Sequence, residues 1–462
     1  MSGTAGWVRR VTALLAAALL PAASALAEDV VVRRNVTVRA EPDRRSEVVD
    51  FPSVGERLDL LDDGAQRRGY YHVRLADGRR GWVYRTFVAR VPDAQVATAD
   101  PLVASDDHVS GMSAHFIDVD QGSAALLEFP CGAVMIDAGG REAGEGDHLV
   151  SYLDGVFARR PDLSRRLAAV FVTHTHIDHN RSLRRVAERF PVGGYIHNGL
   201  PNGSGRVAAR WMLDRSRTAS PPFTALAVDA ALMGEGRGGY ADGTVDPVVC
   251  TGVDPRIRVL SGGWAGNPGW PDGEFDNGNN HSLVIRVDFG ASSFLFMGDL
   301  EEAGIETLLD RYSGTGLLDA DVIVVGHHGS HNGTTAALLA AVTPRIAFIS
   351  MGRQIQAPWT AWAYGHPRRT VVDMLVAAVT DLRPAPAQVS VADAIRRFRP
   401  YPMSRAVYAT GWDGDVVVSA DGRGRLDVRF GRPPATPPTA GDRAIGRTSS
   451  AVPPVPERGQ RP

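Results

Sequence analysis

The chain carries the sequence His-Thr-His-Ile-Asp-His at residues 174–179, directly after the apolar run 168–172. A predicted strand therefore ends in a cluster of possible metal ligands. His174 and His176 are two residues apart, so at an extended strand end they point the same way and can bind one ion through neutral imidazole nitrogens. Asp178 and His179 lie beyond the turn and can bind a second ion. This ligand chemistry suits zinc, manganese or iron better than magnesium or calcium.

Histidine-rich stretches can also be accidental or belong to a terminal tag. The chain has 13 histidines in 462 residues, and three of them fall within residues 174–179 beside an aspartate, far from either terminus. This concentration favours a ligand role over a purely structural one.

Composition excludes some classes of protein and leaves others open. Hydrophobic residues make up 44% and charged residues 22%, which is typical of a globular chain. The net charge is -2, so no global basic field would recruit nucleic acid or anionic membranes. A nucleic-acid substrate is made less favourable but is not excluded, because bound metals can make a local site positive.

The N-terminus predicts an export signal over residues 1–27. Two arginines precede the apolar run 11–20, and Ala25-Leu26-Ala27 supplies a cleavage site before Glu28. A retained N-terminal anchor is the alternative, although the run is short for a membrane span. No later stretch qualifies, so we expect no integral membrane segment in the mature chain and a periplasmic or extracellular location. Export would permit a disulfide between Cys131 and Cys250, and two buried thiols are the alternative.

Residues 30–91 alternate short β-rich runs with turns, which predicts a small all-β barrel. The segment resembles the bacterial SH3 domain through Asn-Val-Thr-Val-Arg-Ala-Glu-Pro at 35–42 and Asp-Gly-Arg-Arg-Gly-Trp-Val at 77–83. The resemblance implies possible contact with cell-wall peptides, since some members of that family bind them and others serve as spacers. Residues 92–111 are predicted to be a linker.

Residues 112–431 alternate buried strands with helical stretches, which predicts a layered α/β domain. Residues 199–280 are predicted to hold long Gly-rich loops carrying Trp264 and Trp270, either as substrate walls or as solvated excursions. Residues 408–430 are predicted to form a terminal hairpin. The Pro-rich tail 432–462 is predicted to be disordered.

Two further clusters follow apolar strands. Asp299 follows the run 294–297 through Gly298, and His327 and His328 follow the run 322–325. A carboxylate at a strand end beside two cations can bridge both of them.

The order of these motifs resembles that of the metallo-β-lactamase superfamily, and among its branches the ComEC-type competence proteins. The motifs that carry the resemblance are Ile136-Asp137-Ala138-Gly139, His174-x-His176-x-Asp178-His179, Phe116–Ser123, Asn279–Ile285, Gly298–Glu301, His327–Ser330 and Tyr364–Pro367. The resemblance does not extend to the membrane channel of the competence proteins, so it does not imply DNA uptake.

The resemblance implies an αββα sandwich with a site for two divalent metal ions at one edge of its two sheets. It implies His174 and His176 as ligands of the first metal, and Asp178, His179 and His328 as ligands of the second, with Asp299 bridging. Asp137 would orient the histidine cluster, and a turn-forming aspartate is the alternative. For the third histidine of the first metal, His281 is favoured and His197 competes. Zinc is the favoured metal, with manganese as the alternative.

The expected mechanism is hydrolysis by a water that two metals share and deprotonate. Asp178 would handle the proton, His327 would face the substrate, and His366 would either donate to a developing oxyanion or cap a turn. The predicted function is an exported phosphodiesterase or nuclease acting on a small or polymeric ester. The alternatives are an ester, lactone or β-lactam hydrolase on the same site, and a catalytically weak cell-wall-binding protein.

Overall fold

The computed structural model describes residues 29–32, 36–50, 52, 57–62, 65–75, 78–91, 111–140 and 143–431. The predicted signal peptide, nearly all of the predicted linker and the predicted tail lie outside these residues. The chain divides into two compact units at residue 98.

The first unit is built from antiparallel strands. They are β1 (Asp29–Val32), β2 (Val38–Arg39), β3 (Val48–Asp50), β4 (Arg57–Leu60), β5 (Gln66–Arg67), β6 (Tyr70–Arg74), β7 (Arg80–Tyr84) and β8 (Val88–Val91). Their order is β3-β2-β7-β6-β4-β1-β8, with β5 paired to β6. Val38, Leu58, Val73 and Val83 are buried at its core. The unit is all-β in the described residues, and its assignment to the bacterial SH3 family stays a prediction.

The second unit contains both strands and helices. Its strands are β9 (Met112–Phe116), β10 (Ala124–Phe129), β11 (Gly132–Ala138), β12 (Ala169–Val172), β13 (Gly194–His197), β14 (Thr224–Ala227), β15 (Pro255–Ser261), β16 (Val284–Phe289), β17 (Ser292–Phe296), β18 (Val322–Val324), β19 (Ile346–Ile349), β20 (Leu382–Ala394), β21 (Arg397–Arg405), β22 (Val407–Ala409), β23 (Val416–Ala420) and β24 (Leu426–Phe430). Its helices are α1 (Ala143–Arg159), α2 (Ile177–Asn180), α3 (Leu183–Arg189), α4 (Arg206–Thr218), α5 (Ala230–Met233), α6 (Glu302–Tyr312), α7 (Ala336–Val342), α8 (Ala361–Tyr364), α9 (Arg369–Ala378) and α10 (Thr410–Asp413). None of the helices in the described residues is long and apolar enough to cross a membrane.

Two sheets pack face to face in this unit. One has the order β14-β13-β12-β11-β10-β9-β23-β24 and the other β15-β16-β17-β18-β19-β22. Their inner faces share one apolar core, in which the rings of Phe116 and Phe348 stack with centroids 3.9 Å apart. Helices α1, α3 and α4 cover the first sheet, and α6, α7 and α9 cover the second. The layers therefore follow the predicted order of helix, sheet, sheet and helix.

The sheet topology brings distant ligand motifs to one edge. Strands β11, β12 and β13 run parallel to one another, as do β17, β18 and β19. The carboxyl ends of parallel strands lie at the same edge of a sheet. The loops after β11, β12, β17 and β18 carry the predicted motifs, so they meet there.

The segment 199–280 differs from its prediction. It contains helix α4 and strands β14 and β15 in addition to long loops. Helix α4 buries only a narrow stripe, which consists of Ala209, Met212 and Ser216. Most of its residues are polar, and the pattern of apolar residues in the sequence did not predict a helix here. The hairpin of β20 and β21 was not predicted either, because the sequence of β21 contains Pro400 and Pro402. Proline removes a ladder hydrogen bond, but a two-stranded ribbon can turn that side outward.

Cys131 and Cys250 form a disulfide, with Cα atoms 5.5 Å apart. Of the two alternatives left open by the sequence, free thiols are therefore wrong. Cys131 lies in the turn between β10 and β11, and Cys250 precedes β15. The bond links the two sheets covalently at the end of the sandwich that carries this turn.

A buried ionic network fastens helix α1 to the first sheet. Glu128 accepts hydrogen bonds from Arg160 at 2.8 Å and from both terminal nitrogens of Arg159 at 3.1 Å. The His115 ring lies between Glu128 and Tyr152, 3.0 and 2.8 Å away. A buried charge of this kind is tolerated only with its partners in place.

We expect Glu128→Gln to destabilise the fold by about 3 kcal/mol, because it removes the buried carboxylate that Arg159 and Arg160 share, although Arg160 keeps its pair with Asp162. Urea unfolding followed by circular dichroism measures the effect. Glu188→Gln is the matched control, since Glu188 is exposed on α3 and its pair with Arg184 contributes under about 1 kcal/mol. Equal losses for the two variants would contradict the assigned role of the network.

Candidate metal centre

The Asp137 carboxylate accepts a hydrogen bond from His179 and fixes the orientation of its ring. Its Oδ1 accepts the Thr173 backbone N–H at 2.8 Å, and its Oδ2 lies 2.7 Å from His179 Nδ1. The backbone of Asp137 has φ of +59°, an uncommon conformation for this residue type that aims its carboxylate at the cluster. Because Nδ1 donates to Asp137, Nε2 is the atom of His179 that is left to bind a metal. Asp137 thus has the contact that its predicted orienting role requires.

Four predicted ligands of the second metal come together. Asp178, His179, Asp299 and His328 each offer one ligand atom, and these atoms lie within 4.8 Å of one another. Asp299 reaches His179 Nε2 at 3.1 Å and His328 Nε2 at 3.4 Å. His328 Nδ1 donates to the Ser350 carbonyl at 2.6 Å, which leaves its Nε2 as the ligating atom. The cluster has the composition and tautomers of a divalent-metal site.

Charges in the cluster are strongly coupled. Burial lowers the pKa of His328, but Asp299 and Asp178 outweigh it and raise that pKa to about 10. Burial likewise lowers the pKa of His179, and Asp299 and Asp137 raise it well above its usual value. Burial raises the pKa of Asp299, but His179 and His328 hold it well below the usual range. The carboxylates of Asp178 and Asp299 therefore attract positive charge, either as protons on the histidines or as metal cations.

His174 and His176 provide the predicted first metal position. His174 Nε2 is buried without a hydrogen-bond partner and lies 3.9 Å from Asp299 Oδ2. Burial lowers the pKa of both rings, so both are in the neutral form that binds metal. A buried polar nitrogen without a partner costs free energy, and a cation beside it would remove that cost.

Two glycines make room for the His176 ring, and the sequence patterns did not single them out. A Cβ at Gly203 would lie 3.0 Å from His176 Cδ2 and 2.3 Å from the Thr175 carbonyl. A Cβ at Gly278 would lie 3.4 Å from His176 Nε2. A side chain at Gly203 would displace the ring, whereas one at Gly278 would only contact it.

His281 lies apart from the four-residue cluster. Its Nδ1 accepts the Trp264 backbone N–H at 3.1 Å, so its Nε2 carries the proton and donates to the Phe275 carbonyl at 2.8 Å. Both ring nitrogens are therefore engaged with the backbone, and neither is left to bind a metal in this arrangement. In this arrangement His281 is not placed with the other ligands, and its expected role as the third ligand of the first metal stays a prediction. The structure instead makes it a clamp between two loop segments.

The competing residue, His197, is also engaged with the backbone. Its Nδ1 accepts the Gly199 N–H at 3.0 Å, and its ring stacks on Tyr195 with centroids 5.0 Å apart. Burial lowers the pKa of His197 to about 4, which keeps it neutral. Among the described residues, His174, His176 and Asp299 are the side chains that could hold the first metal.

The predicted substrate-facing residues line a chamber of about 450 Å³ above the cluster, hereafter the metal chamber. His327 has φ of +49° and is held by Glu301, whose Oε1 lies 3.0 Å from its Nδ1. Gln121 Oε1 accepts the Gly352 N–H at 3.4 Å, so its amide nitrogen faces His366 Nδ1, also at 3.4 Å. The amide N–H can only donate, which leaves the His366 proton on Nε2.

Sequence reasoning missed three other residues of the metal chamber. Arg181 lines it, and its Nε donates to the Gly140 carbonyl at 2.9 Å. Trp359 and Tyr364 lie at the rim, and Trp359 is 71% exposed. Arg181 follows the histidine motif by two positions, and its place on the turn at the end of α2 is the only local signal for it.

The family model described as "Metallo-beta-lactamase superfamily" matches residues 117–353, about half of the chain. The chain belongs to the metallo-beta-lactamase superfamily. The match contains every predicted metal ligand and ends before His366. The prediction of a metal-dependent hydrolase fold is confirmed by this membership.

Comparison with curated relatives indicates which members of the superfamily the chain is similar to. It is 34% identical to the "Uncharacterized protein YcaI" of Escherichia coli over 112 residues, 23% of this chain and 14% of that protein. It is 40% identical to the "Competence protein ComA" of Neisseria gonorrhoeae over 93 residues, 20% of this chain and 12% of the relative. It is 43% identical to the "Recombination protein 2" of Haemophilus influenzae over 88 residues, 19% and 10% of the two chains.

These similarities support the predicted ComEC-like branch of the metallo-beta-lactamase superfamily. The chain spans no more than 14% of the length of these curated relatives. The activities of the relatives as whole proteins therefore reach this chain only as proposals.

We expect His176→Ala to lose metal from the first position, while His281→Ala keeps the wild-type metal content because both its nitrogens serve the backbone. Elemental analysis after dialysis against metal-free buffer measures bound zinc per chain. Loss of the same ion in His281→Ala, with circular dichroism unchanged, would restore His281 as a ligand.

We also expect metal binding at pH 7 to release protons. Without a cation the raised pKa of His328, about 10, keeps its imidazole protonated, and ligation must displace that proton. Metal affinity should therefore fall as pH falls. Isothermal titration calorimetry in buffers of different ionisation enthalpy measures the released protons, and identical heats in all buffers would contradict the prediction.

Proposed function

We propose that the chain is a metal-dependent phosphodiesterase acting on nucleic acid or another phosphodiester, with zinc as the metal and manganese as the alternative. The observation that carries the proposal is the position of Arg181 in the metal chamber. Its Nε is fixed on Gly140, and its two terminal nitrogens remain able to donate to an anionic phosphate oxygen. A phosphodiester always carries such an oxygen at its reacting atom, whereas a simple ester or a lactone has no comparable anionic group.

The chemistry that divalent cations would supply at this centre is acidification of water and neutralisation of developing negative charge. The side chains have separate roles in the proposal. Arg181 binds a non-bridging phosphate oxygen. Asp178, whose pKa lies below its usual range because His328 and His179 outweigh burial, accepts a hydrogen bond from the attacking water and orients it.

His366 and His327 complete the chamber. Burial, with His328 and His327 nearby, holds the pKa of His366 well below its usual value, so it donates as neutral imidazole from Nε2 to a developing oxyanion. Burial lowers the pKa of His327, but its hydrogen bond to Glu301 outweighs burial and raises it. The bond to Glu301 also holds the His327 ring in the metal chamber.

The second candidate is hydrolysis of an ester, lactone or β-lactam on the same centre. Trp264 and Phe275 favour it, because they present apolar surface close to His174 and His176. Trp270, expected beside Trp264 in the wall, is buried and donates from Nε1 to Thr307 instead. The apolar wall is thus smaller than the sequence suggested.

A substrate panel separates these candidates. The full chain and His176→Ala are assayed with bis-p-nitrophenyl phosphate, plasmid DNA, a lactone and nitrocefin. Phosphodiester cleavage that His176→Ala loses supports the proposal. Turnover of acyl substrates alone would overturn it in favour of the second candidate. Bound metal with no turnover on any of the four substrates would favour the weakly catalytic wall-binding protein.

Export is part of the proposal and is supported by the disulfide between Cys131 and Cys250. Disulfides persist in oxidising compartments and are rare in the cytosol. Contact of residues 30–91 with the cell wall is proposed on the SH3-like motifs alone. Co-sedimentation of the full chain with purified cell walls tests that contact, and recovery of all protein in the supernatant would overturn it.

We expect Arg181→Ala to lower kcat/KM for bis-p-nitrophenyl phosphate by roughly 10- to 100-fold, because it removes a charge-assisted contact to phosphate. Metal content should be unchanged. Arg184→Ala is the matched control, since Arg184 is exposed on α3 and pairs with Glu188. Equal activity of the two variants would contradict the role of Arg181.

A further inference from the structure

A second chamber of about 250 Å³ adjoins the metal chamber, and the His176 ring lines both. We call it the aromatic chamber, lined by His174, His176, Trp264, Phe275, Asn202 and Asp276 among others. A substrate whose reacting group lies at the cluster can therefore extend past His176 into a separate compartment.

The walls of the aromatic chamber are aromatic and its rim is polar. Trp264 and Phe275 are half-buried, whereas Asn202 and Asp276 are exposed. Leu200 adds apolar surface. This combination offers a stacking surface for a flat ring together with amide and carboxylate groups for hydrogen bonds to its edge.

Residues 264–281, which form one wall of the aromatic chamber, are held in place by hydrogen bonds and ring contacts. His281 accepts from the Trp264 backbone and donates to the Phe275 carbonyl, so it ties both aromatic residues to one ring. The Trp270 ring packs against Trp264, Phe275 and His281 with centroids 6.1, 6.4 and 5.5 Å away. Its Nε1 donates to Thr307 Oγ1 of α6 at 2.7 Å.

Asn280 also connects this segment to α6. Asn280 Nδ2 donates to the carboxylate of Glu274 at 2.7 Å, and its Oδ1 accepts the Gly304 N–H of α6 at 3.2 Å. Hydrogen bonds and ring contacts thus fix the segment to α6, as a substrate wall requires. A preorganised stacking surface binds a ring at lower entropic cost than a mobile loop does.

We infer that the aromatic chamber is a subsite for the nucleobase flanking the scissile phosphodiester, with Trp264 as the stacking residue. The inference rests on the proposed phosphodiesterase function and names its substrate class as a nucleotide ester. Stacking on one aromatic side chain is worth roughly a 5- to 150-fold change in binding and tolerates different bases. The subsite therefore predicts selectivity for nucleoside esters over simple alkyl esters, without strict sequence preference.

Two diesters with one leaving group test the subsite. Thymidine 5′-(p-nitrophenyl phosphate) and methyl p-nitrophenyl phosphate both release p-nitrophenolate and differ in the nucleoside. We expect the wild type to favour the thymidine ester in kcat/KM, and Trp264→Ala to lower that preference roughly 5- to 150-fold. Trp264→Phe should retain most of it. A preference unchanged in Trp264→Ala would overturn the assignment.

Trp211→Ala is the matched control. Trp211 is half-buried on α4, packs under the Arg184 guanidinium and lines neither chamber. Its preference between the two esters should equal that of the wild type. A loss equal to that of Trp264→Ala would mean that the effect is a general one on folding, and it would overturn the subsite.

A binding measurement separates failure of the subsite from failure of the proposed function. Thymidine 5′-monophosphate is titrated into metal-free wild type and Trp264→Ala and followed by saturation-transfer NMR. Base contacts that Trp264→Ala loses support the subsite even where neither diester is cleaved. Equal contacts in both proteins, or none, overturn it even where bis-p-nitrophenyl phosphate is cleaved. Nitrocefin turnover that depends on Trp264, without diester cleavage, would also overturn the nucleobase assignment.

Discussion

The Asp299 carboxylate is the group around which the centre is organised. It is buried at the meeting point of the two sheets, 3.1 Å from His179, 3.4 Å from His328 and 3.9 Å from His174. An ionised carboxylate in such a place is stable only with positive charge beside it. The surrounding histidines supply that charge as protons or transfer the role to metal cations. The metallo-beta-lactamase fold and this electrostatic requirement both indicate that cations bind beside Asp299.

The loops can meet at Asp299 because several of their residues adopt positive φ angles. Gly298 has φ of +55°, and a Cβ there would lie 2.9 Å from Ser282 and 3.0 Å from Thr173. His327 and His328 both adopt positive φ, which costs free energy for non-glycine residues and is concentrated at functional sites. The hydrogen bonds of His327 to Glu301 and of His328 to Ser350 hold the two rings in this conformation.

Much of this arrangement was predictable from the sequence, for a physical reason. The order of the motifs resembles that of the metallo-beta-lactamase superfamily, and this resemblance implied His174, His179, Asp299 and His328 as neighbours. The physical reason is that each motif follows an apolar strand and parallel strands deliver their carboxyl ends to one edge. His281 shows the limit of that reasoning. Its position before a strand suited a ligand, but hydrogen bonds to two distant backbone segments, which sequence spacing does not encode, occupy both ring nitrogens.

Arg181 and the aromatic chamber illustrate the same limit for the substrate. A charged residue two positions after a metal motif is usually solvated, and only the fold places Arg181 in the metal chamber. The loop with Trp264 was compatible with either a wall or a mobile excursion until its contacts with Trp270 and His281 were known. Helix α4 and the proline-containing hairpin were missed because tertiary packing outweighs their weak local patterns.

Anomalous diffraction from zinc-soaked crystals, recorded at the zinc absorption edge, locates any metal ions bound at Asp299. We expect two peaks flanking the Asp299 carboxylate. One should be shared with Asp178, His179 and His328, and the other with His174 and His176. A map without peaks at Asp299, or with its principal peak at His281, would contradict the account.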